Sequence, residues 1–169
     1  PKEKPQEAVM KLALMGKRNA GKSTFLNAIV GQERVITSAV PGTTRDAVDV
    51  RFEKDGRTFV AIDTAGLRKR KSMKEDIEYY GYTRSLRSIK RADIILLLID
   101  ATTPISQVDK KLAHMVAEDH KPCILVVNKW DLAKGVAATE DYADYLSKVL
   151  PGLKNAPIAF TTATESKNV

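Results

Sequence analysis

The chain has 169 residues, 43% of them hydrophobic and 29% charged, the size and composition of one soluble globular domain. Its net charge of +7 favours polyanionic partners, nucleic acid first, and its single cysteine excludes an internal disulfide framework and fits a reducing, cytoplasmic compartment. The longest apolar run, residues 94–99, is far too short to span a bilayer, and the polar opening residues 1–7 lack the apolar core of a secretory signal, so no membrane location is expected.

Those first residues, Pro1-Lys2-Glu3-Lys4-Pro5-Gln6-Glu7, resemble a charged linker, which leaves residues 8–169 as the folded domain. Residues 9–15 are mostly apolar and stop at Gly16, the pattern of a strand feeding a glycine loop. Residues 22–30 read as a helix closed by Gly31 at its C′ position. Segments 47–52 and 58–62 flank Asp55-Gly56, a hairpin-turn signal that predicts an antiparallel pair. The apolar runs 94–99 and 123–127 suit strands covered on both faces of a parallel sheet.

Between those runs, Ser106-Gln107-Val108-Asp109 has the spacing of a capping box, ahead of an apolar stripe of Val108, Leu112, Met115 and Val116. A further helix is expected over 139–150, ending at Pro151-Gly152, and a last strand over 157–160. This alternation predicts an α/β fold: an open, mostly parallel sheet of about six strands with one antiparallel hairpin and helices on both faces. Ligands of such sheets bind at the carboxyl ends of the strands, where each motif below falls.

Gly16-Lys17-Arg18-Asn19-Ala20-Gly21-Lys22-Ser23 matches G-x-x-x-x-G-K-[ST]. The glycines let successive backbone N–H groups point at phosphate oxygens, and the helix that starts at Lys22, Ser23 and Thr24 adds its positive end. Lys22 supplies charge to the β- and γ-phosphates, and the Ser23 hydroxyl is a ligand for Mg²⁺. Asp63-Thr64-Ala65-Gly66 follows a strand directly, so Asp63 can hold Mg²⁺ through water while the Gly66 N–H meets the γ-phosphate. Pro41-Gly42-Thr43-Thr44-Arg45-Asp46 lies in a polar stretch, where a threonine hydroxyl, Thr44 in preference to Thr43, could reach Mg²⁺ only when the γ-phosphate is present.

Asn128-Lys129-Trp130-Asp131 follows the run 123–127. The Asp131 carboxylate can accept from both the ring N–H and the exocyclic amine of guanine. Adenine offers neither donor in that pattern, and such sites discriminate by about 10⁴–10⁵. Asn128 bridges base and loop, the Lys129 stem can cover one face of the ring, and Thr161-Thr162-Ala163 is placed to offer a backbone N–H to the guanine O6.

With these motifs in place the chain resembles the translation-factor-like GTPases of the P-loop class, over its whole length apart from the linker. Asn19 inside the phosphate loop and Leu67 after Gly66 are similar to the TrmE–Era–Der group. The run from Asp63 to Lys71, Lys74-Glu75-Asp76-Ile77-Glu78-Tyr79-Tyr80, and the Thr43-Thr44 segment most resemble the second GTPase domain of Der-type (EngA) proteins. Lys17-Arg18 stands where that group has Arg-Pro, and Thr162 where serine is usual. The resemblance implies GTP and GDP as ligands, Mg²⁺, and a potassium ion held by Asn19 in place of the glutamine that Leu67 replaces. It implies a preceding G domain, a following KH-like domain, a final helix beyond this chain, and a partner in the large ribosomal subunit or its rRNA. Turnover without the glutamine is expected to be slow, on the order of 10⁻⁴ to 10⁻² s⁻¹.

Two other readings stand beside this one: the G domain of a tRNA-modification GTPase, and a regulatory module that binds nucleotide without hydrolysis. The basic run Arg68-Lys69-Arg70-Lys71, with Arg84, Arg87, Lys90 and Arg91 beyond it, is either a solvated face or an RNA contact. His114 and His120 are expected at the surface, Cys123 in the core, and Trp130 beside the base loop.

Overall fold

The computed structural model describes residues 9–31, 35–36, 49–64, 77–133 and 138–162. In chain order the elements are β1 (Met10–Gly16), α1 (Lys22–Gly31), β2 (Val35–Ile36), β3 (Val50–Lys54), β4 (Arg57–Ile62), α2 (Ile77–Arg91), β5 (Ile94–Asp100), α3 (Gln107–Glu118), β6 (Cys123–Asn128), α4 (Trp130–Ala133), α5 (Thr139–Val149), a 3-10 turn (Pro151–Leu153) and β7 (Ile158–Phe160). They form one sheet in the order β2-β3-β4-β1-β5-β6-β7. Among the described strands only β3 runs against its neighbours, and every other pairing is parallel. The seventh strand, beyond the six expected, is the two-residue β2, whose Val35 pairs with Phe52.

The apolar run of β5 is continuous because both faces of the sheet are covered. Ile95, Leu97 and Ile99 belong to a core shared with Ile89 of α2, Val116 of α3 and Leu146 of α5. Leu96 and Leu98 face the opposite core with Phe25, Leu26 and Ile29 of α1. Burying each such side chain stabilises the fold by about 1.5–3 kcal/mol. Between β3 and β4, Asp55 (φ 52°) and Gly56 (φ 75°) make the two-residue turn that the dipeptide predicted, with Lys54 paired to Arg57.

The Ser106 capping box is present, with Ser106 capping α3 and Asp109 accepting from the Ser106 backbone N–H. Of the stripe expected behind it, Met115 and Val116 are buried and Leu112 packs against the same core. Val108 is 52% exposed, while Asp109, Ala113, Met115 and Val116 are the buried positions. Val108 alone leaves that stripe, and the residue after it, Asp109, turns inward instead. Gly31 ends α1 inside the helix rather than past it.

Candidate functional site

β1 lies between β4 and β5, where the connections leave for opposite ends of the sheet; this is the switch point at which open α/β sheets bind ligands. Gly16 closes β1 beside Leu98 of β5, and a Cβ there would stand 2.9 Å from the Leu98 carbonyl oxygen. The chain then turns: Ala20 N–H donates to the Lys17 carbonyl at 3.2 Å, Asn19 adopts φ 68° and Gly21 φ 95°. α1 starts at Lys22, with Phe25 N–H donating to the Gly21 carbonyl at 2.8 Å, and carries no acidic residue in its first turn to offset its positive end. The Lys22 ammonium folds back onto the Gly16 carbonyl at 2.6 Å, so it reaches across the concave side of the loop. Ser23 is half-buried behind it, and Arg18, Asn19 and Thr24 are exposed on the rim.

The second motif is fastened to this loop. Asn128, buried at the end of β6, donates from Nδ2 to the Ala20 carbonyl at 3.2 Å, and its Oδ1 accepts from the Thr161 hydroxyl at 3.3 Å. A Cβ on Gly21 would collide with that same Nδ2, so both the positive φ and the close approach require glycine there. Lys129 (φ 61°) donates from Nζ to the Asn19 carbonyl at 2.8 Å and to Asp100 Oδ2 at 2.9 Å. Asp131 is half-exposed in the first turn of α4. Trp130 holds that turn from below: its ring lies 4.6 Å from Phe160 of β7 and 5.6 Å from Tyr142 of α5. Thr161 N–H donates to the Val127 carbonyl, and Thr161 accepts from Trp130 N–H, which places buried Thr162 at the rim of the base site.

Asp63 leaves β4 with φ 56°. Its carboxylate faces α2: Oδ2 accepts from the Ser88 hydroxyl, and Oδ1 lies 3.1 Å from Arg91 Nη1. Arg91 Nη2 also meets Asp49 Oδ2 at 2.8 Å, and Asp49 Oδ1 accepts from Asp63 N–H at 3.1 Å. Thr64 is buried behind this cluster. Thr44, Ala65, Gly66 and Ala163 lie outside the described residues, as do Leu67 and the basic run 68–71.

Two carboxylates that sequence reading passed over belong to the site's frame. Asp100 is 5% exposed; burial raises its pKa, but hydrogen bonds from Thr102 and Lys129 outweigh that and hold it below the ordinary carboxylate value. Its place at the end of β5, level with Asn128, was the available signal. Asp109, fully buried, lies beside Lys17. The histidines are as expected, His114 and His120 exposed, and burial pushes the Cys123 thiol up to about 12, which leaves it an inert core residue.

No group of three or more His, Cys, Asp or Glu among the described residues could hold a metal by itself. Mg²⁺ would need phosphate oxygens to complete its shell beside Ser23, and Asp63 could join it only by releasing Ser88 and Arg91. An apolar recess of about 390 Å³, lined by Pro122, Cys123, Gly152 and Pro157, lies at the other end of the sheet and has no part in this chemistry.

A glycine loop at the switch point, a helix whose amino end faces it, and an Asn-Lys-x-Asp turn hydrogen-bonded to the loop define a G domain of the P-loop class. The chain belongs to the 50S ribosome-binding GTPase family, whose model matches residues 11–129. It is 52% identical over 163 residues to GTPase Der of Rhodopirellula baltica, covering 96% of this chain and 36% of that protein. To GTPase Der of Caldanaerobacter subterraneus it is 43% identical over 165 residues, covering 97% and 38%. The chain thus spans little more than a third of the length of these curated relatives, the extent of a single G domain. Among solved structures, Era in complex with MgGDPNP and a segment of 16S ribosomal RNA superposes with a TM-score of 0.66 at 28% identity, covering 95% of this chain and 53% of that one. Era of Aquifex aeolicus bound to GDP and AlF₄⁻ gives 0.65 at 29%, covering 93% and 52%.

Proposed function

We propose that this chain is the GTP-binding and GTP-hydrolysing switch domain of a protein that assembles the large ribosomal subunit, and that it is the second of two G domains there, followed by a KH-like domain. The observation that carries nucleotide binding is the bond from Asn128 Nδ2 to the Ala20 carbonyl, with Lys129 Nζ on Asn19. Residues more than 100 positions apart are locked so that one ligand can touch a phosphate cradle and a base-reading carboxylate together.

In this reading Lys22 leaves the Gly16 carbonyl for the β- and γ-phosphate oxygens, and the amides from Asn19 to Thr24 donate to the same phosphates. Asp131 accepts from guanine, and the Thr162–Ala163 backbone donates to its O6. Ser23, Thr44 and Asp63 are the residues that would hold Mg²⁺, which when bound would neutralise phosphate charge, and the Gly66 N–H would donate to the γ-phosphate. Asn19, on the exposed rim of the loop, is the residue assigned to K⁺. Ribosomal partnership is supported by the family's 50S ribosome-binding description and by the net charge of +7. No described helix is long and apolar enough to cross a membrane.

Titration with a fluorescent GDP analogue, competed by GTP and by ATP, tests the site. The expected preference for GTP is about 10⁴-fold, and Asp131→Ala should abolish it. Equal competition by ATP, or selectivity unchanged in Asp131→Ala, would sink the assignment. For the ion, GTP hydrolysis is compared in matched KCl and NaCl. A several-fold stimulation by K⁺ that disappears in Asn19→Ala is expected, and equal rates refute it. Co-sedimentation of the full-length protein with 50S particles, with GTP or GDP, tests the partner.

A further inference from the structure

Lys17, the second residue of the phosphate loop, turns its ammonium away from the cradle and into the connection between β5 and α3. There Nζ donates to the Thr103 hydroxyl at 2.7 Å and to the Pro104 carbonyl at 3.5 Å, and it lies 3.3 Å from Asp109 Oδ2. Asp109 is the capping-box residue of α3, and its Oδ2 also accepts from the Ser106 backbone N–H at 2.9 Å and hydroxyl at 3.0 Å. Capping by itself does not require a carboxylate to leave solvent, where its charge costs little. Asp109 is instead fully buried, and its Oδ1 is buried with no hydrogen-bond partner among the described residues. A carboxylate buried in that position calls for a matching cation beside it, and breaking a buried pair from one side is far more costly than its net worth. Among the described residues the cation beside it is Lys17, whose side chain is only 16% exposed.

We propose that Asp109 is a positioning residue for the nucleotide: by clamping Lys17, it fixes the first turn of the phosphate loop to the amino end of α3. The loop then has two anchors. One reaches Asn19 and Ala20 from the base motif through Lys129 and Asn128. The other reaches Lys17 from a helix that carries no nucleotide motif. With Lys17 held outward, the loop's concave side is left to Lys22 and the backbone amides. The preference for an extended, donor-rich loop is therefore set before nucleotide arrives, which lowers the ordering cost of binding. This inference rests on the proposed nucleotide site.

The test separates the clamp from the cap. Dissociation of the fluorescent GDP analogue is measured for the parent, Asp109→Asn, Lys17→Met, the double variant and Ser106→Ala, with thermal unfolding of each. Asp109→Asn keeps an acceptor for the Ser106 N–H but loses the charge, and it should release nucleotide about ten-fold faster. The double variant should be no faster than the quicker single variant, since both remove one contact. Ser106→Ala should melt earlier but release more slowly than Asp109→Asn, because the Ser106 backbone N–H and Lys17 still hold the carboxylate. Independent, multiplying effects of the two charge variants would overturn the proposal, as would parent-like release by Asp109→Asn. Should Asp109→Asn fail to fold, the double variant, which buries no unpaired charge, decides alone: parent-like release overturns the clamp. Failure of the parent to bind the analogue refutes the nucleotide site instead, so the two results are distinct.

Discussion

Arg91 holds Asp63 in an ion pair, Nη1 to Oδ1 at 3.1 Å, and its other nitrogen spans to Asp49 at 2.8 Å. Asp63 is the carboxylate assigned to Mg²⁺, yet both its oxygens are taken, the second by the Ser88 hydroxyl. Metal binding therefore competes with a contact from α2. The Arg91 side chain is 33% exposed, so the pair contributes about 1 kcal/mol. Arg91→Met should lower the Mg²⁺ concentration that half-slows nucleotide release by about five-fold, since 1.4 kcal/mol is a factor of ten. A Mg²⁺ titration of release rates reads this directly, and an unchanged or raised midpoint would mean that Arg91 aims Asp63 at the metal.

Gly21 combines φ 95° with contact against Asn128 Nδ2. Alanine there needs a strained backbone, at about 1–3 kcal/mol, and must push the Asn128 amide off the Ala20 carbonyl. Gly21→Ala is expected to weaken GDP-analogue binding by at least a hundred-fold while lowering the melting temperature only modestly, because the core on either face of β5 is untouched. Gly56→Ala is the control: its φ is 75° but a Cβ meets nothing within 4 Å, so stability falls by about 1 kcal/mol and binding stays at the parent level.

What could be read from the chain beforehand follows the range of the forces involved. The β5 run was legible because alternate residues fill two cores, leaving no polar position, and Asp55-Gly56 and Ser106 are local backbone chemistry. β2 has two residues, too few for any period, and its pairing with β3 is set by the sheet. The stripe of α3 departs from expectation only at Val108, because hydropathy assigns aspartate to solvent, whereas Asp109 lies inward against Lys17, 92 positions earlier in the chain. The Arg91–Asp63–Asp49 cluster is hidden for the same reason: each member is an ordinary surface residue until the fold brings them together.

Tyr142 is buried beneath Trp130 with a hydroxyl that has no hydrogen-bond partner among the described residues. Burial, then the neighbouring Tyr145, Asp109 and Asp100, push its pKa from 10.0 to about 12. The folded state thus keeps a proton that the unfolded state sheds above pH 10. Stability from the neutral phenol is intact below pH 10 and is lost as pH rises towards 12. Tyr142→Phe should be neutral or stabilising by up to about 1 kcal/mol at pH 7, and should flatten the loss of melting temperature between pH 10 and 12. A variant less stable at pH 7 would reveal a partner for the hydroxyl.

Asp100 has the opposite sign. Its carboxyl lies below the usual 3.8 in the folded chain because Thr102 and Lys129 donate to the ionised form, which outweighs the effect of burial. The unfolded state therefore takes up the proton first as pH falls. Stabilisation is fully present above pH 4, declines below it, and is gone once the folded carboxyl is itself protonated. Asp100→Asn keeps an acceptor for Thr102 but no charge for Lys129, which would then be held at the Asn19 carbonyl alone. A loss of about 1–3 kcal/mol at pH 7 is expected, shrinking as pH drops below 4. Chemical denaturation of parent and variant at pH 7 and pH 3.5 checks both halves. A difference that stays constant across that range would show that the charge on Asp100 is not what holds Lys129 against the phosphate loop.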